Sequence, residues 1–191
     1  AALRVLKTLE REGRKPTPEE KEALFKYSGW GGLGQATSDY PSSGWKAKTR
    51  ILQDLLTAEE IHSIADSSST AYYTPPEVIE GIYNAVQRLG FQTGSILDSA
   101  TGTGNFIGVM PRDMEGRALI RGVEPETFSQ RIAAYLYDSA TITQGKLQDV
   151  KLPANFFDLA VTNVPFADVV PADKLNKKGL KLHDYFFIKN L

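Results

Sequence analysis

Cysteine is absent from this 191-residue sequence. That excludes a disulfide framework, a thiolate zinc site and a cysteine nucleophile. Histidine occurs only as His62 and His183, too few and too far apart for a histidine-built metal centre. Together these scarcities exclude zinc-dependent deamination of a base, which takes its ligands from Cys and His. No apolar run approaches the ~20 residues that cross a bilayer, and no signal-peptide pattern stands at the N-terminus. The expectation is a cytoplasmic protein with no membrane partner. Neither sign of charge is in excess, since 22 basic and 23 acidic residues leave a net charge of −1. Phosphate neutralisation supplies most of a free-standing DNA binder's affinity. Any nucleic-acid contact must therefore be local, or assisted by other parts of a larger protein. The sequence begins without Met and stops inside a helical pattern, and it reads as a piece of such a protein.

The chain is long enough for one α/β domain with an appendage. Residues 1–70 carry helical patterns and no strand pattern. Leu3, Leu6 and Leu9 share a helical face that ends near Gly13. Thr17-Pro18-Glu19-Glu20 is a capping box with proline at the first helical position. A glycine-rich loop, Gly29 to Gly34, follows, with Trp30 and Trp45 as its anchors. A helix over 45–56 comes next, and Thr57 and Glu60 cap another. Ser67-Ser68-Ser69-Thr70 marks a boundary, so the division expected is 1–70 and 71–191. Thr74-Pro75-Pro76-Glu77 predicts a helix with Thr74 as N-cap, Pro75 at its first position, and Val78, Ile79, Ile82 and Val86 on one side. Strands are predicted at 95–99, 118–123, 140–143 and 157–162, with helices at 104–110 and 127–136. Strand-helix alternation with near-continuous apolar strands predicts a parallel sheet covered on both faces.

Two turns carry the chemistry. After the first strand, Asp98-Ser99-Ala100-Thr101-Gly102-Thr103-Gly104-Asn105-Phe106 places glycines where the backbone must turn tightly beside a helix N-terminus. About twenty residues on, Glu124 ends the second strand and is placed to accept the hydroxyl hydrogens of a ribose. The spacing Gly102, Gly104, Gly108 misses the dinucleotide fingerprint by one residue. Asp98 beside the loop suits a cationic adenosine ligand such as S-adenosylmethionine better than a pyrophosphate. After the fourth strand comes Asn163-Val164-Pro165-Phe166. The Asn163 side-chain oxygen and the Val164 carbonyl would accept the two hydrogens of a planar amine, Pro165 would fix the turn, and Phe166 would stack on the base. A duplex base must be flipped out to reach such a site, and stacking compensates ~1–3 kcal/mol of the cost.

These residues resemble the amino-methylating DNA methyltransferases that target adenine. Asp98 to Phe106 is similar to that family's cofactor loop, Glu124 to its ribose-binding acid, and Asn163 to Phe166 to its catalytic turn. Tyr73-Thr74-Pro75 is similar to the element that closes over the methionine end of the cofactor. A wider resemblance, carried also by Tyr27 to Leu33, Ala71 to Thr74, Gly104 to Gly108 and Leu182 to Phe187, is to the methylase region of large helicase-methylase proteins of phages, plasmids and conjugative elements. It implies a Rossmann-like methyltransferase fold with a partial parallel sheet and an N-terminal helical extension, S-adenosylmethionine as cofactor, and a flipped adenine in DNA as substrate. It also implies a helicase region elsewhere in the polypeptide. A sheet cut after its fourth strand, a charge near zero and no segment to read DNA sequence predict weak cofactor binding and no measurable transfer to duplex DNA by this chain alone. The turn after the third strand departs from the pattern, offering Lys146 and Gln148 where acids or aromatics are usual, with Asp149 as the substitute acid. Two alternatives stay open: methylation of a glutamine side chain in a protein, and a scaffold with a decayed cofactor site. The cluster Lys174, Lys177, Lys178 and Lys181 favours nucleic acid over protein.

Overall fold

The computed structural model describes residues 1–31, 33–67 and 73–190. Most of the expected boundary, Ser68 to Thr70, lies outside them, as do Gly32, Ala71 and Tyr72. The elements are helices α1 (Ala2–Glu12), α2 (Pro18–Phe25), α3 (Lys46–Leu55), α4 (Ala58–Ser67) and α5 (Pro76–Arg88), then β1 (Ser95–Asp98), α6 (Asn105–Gly108), α7 (Arg112–Glu115), β2 (Leu119–Glu124), α8 (Thr127–Leu136), β3 (Ala140–Gln144), β4 (Leu159–Ala160) and α9 (Leu182–Asn190). No helix among the described residues is long and apolar enough to cross a membrane.

The four strands form one parallel sheet in the order β3-β2-β1-β4. The chain winds outward from β1 to β3, then returns past β1 to lay down β4. The reversal therefore falls between β1 and β4. In such sheets a crevice opens outside the carboxyl ends of the two strands that flank the reversal, and ligands bind there.

Apolar side chains alternate to the two faces of the sheet. Ile96, Ile120, Ile142 and Val161 pack with Ile79 and Tyr83 of α5 and with Phe106, Ile107, Met110 and Met114. Leu97 and Val123 face the other way, towards Leu147 and towards Tyr185 and Phe186 of α9. A third cluster joins Leu6, Leu9, Leu24, Trp30 and Ile64 to Phe128 and Ile132 of α8, so α8 serves both the sheet and the N-terminal helices. Polar contacts reinforce that seam. Arg131 of α8 binds Glu10 and reaches Glu60 at 2.6 Å, and Lys7 reaches the same Glu60 oxygen at 2.5 Å.

The helix caps show where local sequence decides and where it does not. Both capping boxes form, at Thr17 with Glu20 and at Thr57 with Glu60. The cap expected at Thr74 does not. Each residue before a proline is pushed out of the helical region, so Pro75, preceding Pro76, is extended with φ −61° and ψ 145° and itself becomes the N-cap. Thr74 is left one residue too far out. The apolar face of α5 is also rotated from expectation. Val78 is 51% exposed, while Tyr83 is buried and donates its hydroxyl to the Phe106 carbonyl at 2.8 Å. The strand expected over 157–162 is shorter, since β4 is an edge strand paired with β1 alone, though ladder bonds run from Asp158 to Val161. The helix expected over 104–110 closes after four residues, and α7 follows Pro111 unforeseen.

Candidate active site

The two turns singled out by sequence emerge side by side at the reversal between β1 and β4. They are bonded directly: the Ala100 N–H donates to the Thr162 hydroxyl at 3.1 Å. From the other side Asn190, at the end of α9, donates its amide to the Ser99 hydroxyl at 2.9 Å. Beneath these turns lies a cavity of about 910 Å³, at the upper end of the ~300–1,000 Å³ usual for small-molecule sites. There is room for a nucleoside-sized ligand and a second planar group beside it.

Of the residues picked out by sequence, Tyr73, Thr74, Gly102, Phe106, Glu124, Asn163, Val164, Pro165 and Phe166 all border this one cavity. Asp98 and Gly104 lie just behind its wall, and Asp149 is exposed and stands apart from it. Beyond β3 the wall is made by Lys146, Leu147 and Gln148.

Backbone geometry explains the glycines. Gly102 has φ 55° and Gly104 φ 85°, in the left-handed region. A side chain at Gly102 would also strike the Tyr73 ring, at 2.7 Å from the added carbon, and one at Gly104 would meet the Tyr137 ring at 2.3 Å. Gly104→Ala combines backbone strain with a clash against a packed ring. It should lower unfolding stability by about 2–4 kcal/mol, read from the urea midpoint against the parent protein.

Three acidic side chains gather here, all buried: Asp98, Glu124 and Glu126. Each Glu124 oxygen accepts one backbone N–H, from Gly102 at 2.7 Å and from Glu126 at 2.8 Å. A carboxylate has about four acceptor positions, so two remain for a ligand. Burial pushes the Glu124 carboxyl up to about 7, and the charges of Glu126 and Asp98 add to it, against the lowering effect of those N–H bonds. Burial likewise pushes Asp98 up to about 7, against the Thr162 hydroxyl and the Ala100 N–H. Its Oδ2 is buried with no partner among the described residues, as is Thr74 Oγ1 on the cavity wall. Unpaired buried polar atoms cost free energy unless a ligand or water meets them. Two raised carboxyls and an orphaned hydroxyl suit a cationic, hydroxyl-bearing ligand.

The target side is more open. Val164 packs into the core with Leu97 and Tyr185. Phe166 is 69% exposed at the cavity rim, and its ring stacks on His183, with centroids 6.0 Å apart and planes at 30°. The long segment between Phe166 and α9 is built. Asn176 bonds the carbonyls of Pro171 and Leu180, Asp173 receives the Tyr185 hydroxyl and Lys189, and Lys181 pairs with Asp168 at 2.7 Å. Lys174, Lys177 and Lys178 are left exposed on it.

Sequence reasoning missed the contribution of the N-terminal helices. Glu59, His62, Ser63 and Asp66 of α4 line the same cavity, and Tyr27 donates to Glu126 at 3.2 Å. Glu126 accepts the N–H groups of Phe128 and Ser129, and the Ser129 hydroxyl bonds that of Tyr73. A smaller cavity of about 260 Å³ lies beyond Tyr73, between α2 and the Gly102 turn.

The order of strands, the flanking helices and the crevice over β1 and β4 define an α/β Rossmann-like fold, one shared with a solved protein assigned to the class I S-adenosylmethionine-dependent methyltransferases. Among solved structures, a Listeria monocytogenes protein assigned to that class matches 98% of this chain and 67% of its own, with TM-score 0.50 and 14% identity. A Methanococcus maripaludis protein assigned as an S-adenosylmethionine-dependent methyltransferase matches 46% of this chain and 40% of its own at 26% identity, with TM-score 0.38, too partial a match to define a fold. In sequence, an alignment of 185 positions covering 94% of the chain is 25% identical to defense against restriction protein B of Escherichia phage P1. The chain spans 7% of that protein's length. No protein-family model matches the chain.

Proposed function

We propose that this chain is an S-adenosylmethionine-dependent methyltransferase domain acting on the exocyclic amine of adenine in DNA, within a longer mobile-element protein that also carries a helicase region. One observation carries this reading: the Asn163 to Phe166 turn and the Gly102 turn with Glu124 border a single cavity at the reversal point of the sheet. The phage P1 relative is named for defence against restriction, and methylation of adenine in incoming DNA would serve that end.

The residues fit the cofactor. Glu124 would take the ribose hydroxyls on its two open acceptor positions. Thr74, with its buried hydroxyl on the cavity wall, would bond its amino-acid end, Asp98 behind that wall would balance the positive charge, and Gly102 lets the backbone approach. When bound, S-adenosylmethionine supplies an electrophilic methyl group. The rest falls to this chain. The amine of adenine is a poor nucleophile because its lone pair is delocalised into the ring. Two acceptors, Asn163 Oδ1 and the Val164 carbonyl, would hold its two hydrogens and free that lone pair. Phe166 would stack on the extruded base. No strong base is required, because the methylated amine sheds its proton to water easily.

Calorimetric titration with S-adenosylhomocysteine tests the cofactor half. The parent protein should bind it. Glu124→Ala should weaken binding by roughly one to two charge-assisted hydrogen bonds at about 1.5–3 kcal/mol each, a tenfold loss or more. A folded variant with an unchanged dissociation constant would remove Glu124 from the site.

A further inference from the structure

On the side of Glu124 away from the Gly102 turn, the cavity is closed from outside the sheet. Sheet order places β3 there, beyond β2, and the turn after β3 supplies Lys146, Leu147 and Gln148. The facing wall is α4, with Glu59, His62, Ser63 and Asp66. That helix is firmly seated. Ile64 is fully buried in the cluster with Phe128 and Ile132, and Glu60 is held by Lys7 and Arg131. Ser63 Oγ accepts the Thr127 N–H at 3.1 Å, which ties α4 to the turn directly after Glu124.

An adenine ring placed against this wall brings an exocyclic amine that needs an acceptor, because a buried donor left unpaired costs its full desolvation. Four carboxylates border the cavity. Glu124 accepts two backbone N–H groups, and its two open positions are those given to the ribose hydroxyls, while Glu126 already accepts two backbone N–H groups and the Tyr27 hydroxyl. Glu59 sits in the first turn of α4, where its own N–H and the Thr57 hydroxyl hold its carboxyl below the usual range. Lys146 can only donate. Asp66 remains. Its carboxylate has no hydrogen bond among the described residues, and the His62 ring stands beside it, one helical turn back on the same face, with Nε2 at 3.8 Å from Oδ1.

We propose that Asp66, beside His62 on α4, accepts the adenine amine of the cofactor, so that α4 is a specificity wall of the cofactor site. The inference rests on the cofactor reading above and deepens it. It gives the N-terminal helices a function in ligand selection.

The test is calorimetry on the 191-residue chain with two ligands, S-adenosylhomocysteine and S-inosylhomocysteine, which carries a carbonyl in place of the amine. The parent protein should prefer the adenosine form by tenfold or more. Asp66→Asn, whose amide can donate to that carbonyl, should bring the preference down to about twofold or reverse it. Glu59→Gln should keep it. Far-UV circular dichroism checks that both variants fold, and Asp66 is exposed enough for substitution to spare the core. Equal binding of both ligands by the parent, or a preference that survives in Asp66→Asn, overturns the role of Asp66 and leaves the cofactor reading standing. Failure of the parent to bind either ligand overturns the cofactor reading and this inference with it.

Discussion

Asn163→Ala should leave S-adenosylhomocysteine binding within about twofold and lower single-turnover methyl transfer by at least roughly 10²–10³-fold. The magnitude is that of removing one preorganised hydrogen-bonding group aimed at charge that develops in a transition state. In the proposed reaction the amine gains its nucleophilic character only as its lone pair leaves the ring, so the Asn163 acceptor would act on the transition state far more than on the ground state. The loss should appear in the rate constant at saturating DNA. Phe166→Ala should show the opposite split, with weaker DNA engagement and a smaller change at saturation. The exposed ring at the cavity rim touches the core little, so its removal spares the fold. Wild-type turnover in Asn163→Ala would remove the turn from the chemistry.

The second large effect is on stability against pH. Asp98 and Glu124 each ionise near pH ~4 in an unfolded chain, and in the folded protein burial pushes both up to about 7. Between those values the unfolded chain has released protons that the folded one keeps. Stability must therefore fall as pH rises from about 4 to about 7, and level off above. The thermal midpoint should be several degrees lower at about pH 8 than at about pH 5, at roughly 2–4 °C per kcal/mol for a chain of this size. Glu20 and Asp173, whose carboxyls are held down to about 2 by hydrogen bonds, act in the opposite sense, but below that window. Asp98→Asn should raise the midpoint at about pH 8 and change it little at about pH 5. A midpoint flat across the window, or one rising with pH, would contradict the burial that raises Asp98 and Glu124. The same substitution should weaken S-adenosylmethionine, since the ionised Asp98 that the apo protein disfavours is the form that a cation favours.

Much of this site was readable from local pattern. Gly102 and Gly104 announce a turn that needs left-handed backbone, and Glu124 stands at a strand end by register. Asn163 to Phe166 follows an apolar strand, and parallel strand order brings both turns to one end of the sheet. Capping at Thr17 and Thr57 was equally local, as each box closes within four residues. What failed depended on a neighbour. Thr74 lost its cap because two successive prolines moved the helix start by one residue. Tyr83 displaced Val78 from the core because its hydroxyl finds the Phe106 carbonyl, a partner on another element. The wall formed by α4 was invisible for the same reason. His62 and Asp66 read as an ordinary polar helix face, and only the distant contacts of Ser63 with Thr127 and of Glu60 with Arg131 turn that face towards the cavity.

The central claim is that one cavity holds both the methyl donor and the amine that receives it. Single-stranded DNA needs no base to be levered out of a duplex, so it isolates that claim from the rest of a longer protein. The decisive measurement is transfer of labelled methyl from S-adenosylmethionine to single-stranded DNA, with protein in excess, followed by chromatography of the nucleosides. Label in N6-methyldeoxyadenosine, lost in Asn163→Ala, is the predicted result. Label in another nucleoside or in protein glutamine, or bound cofactor with no transfer at all, would contradict it.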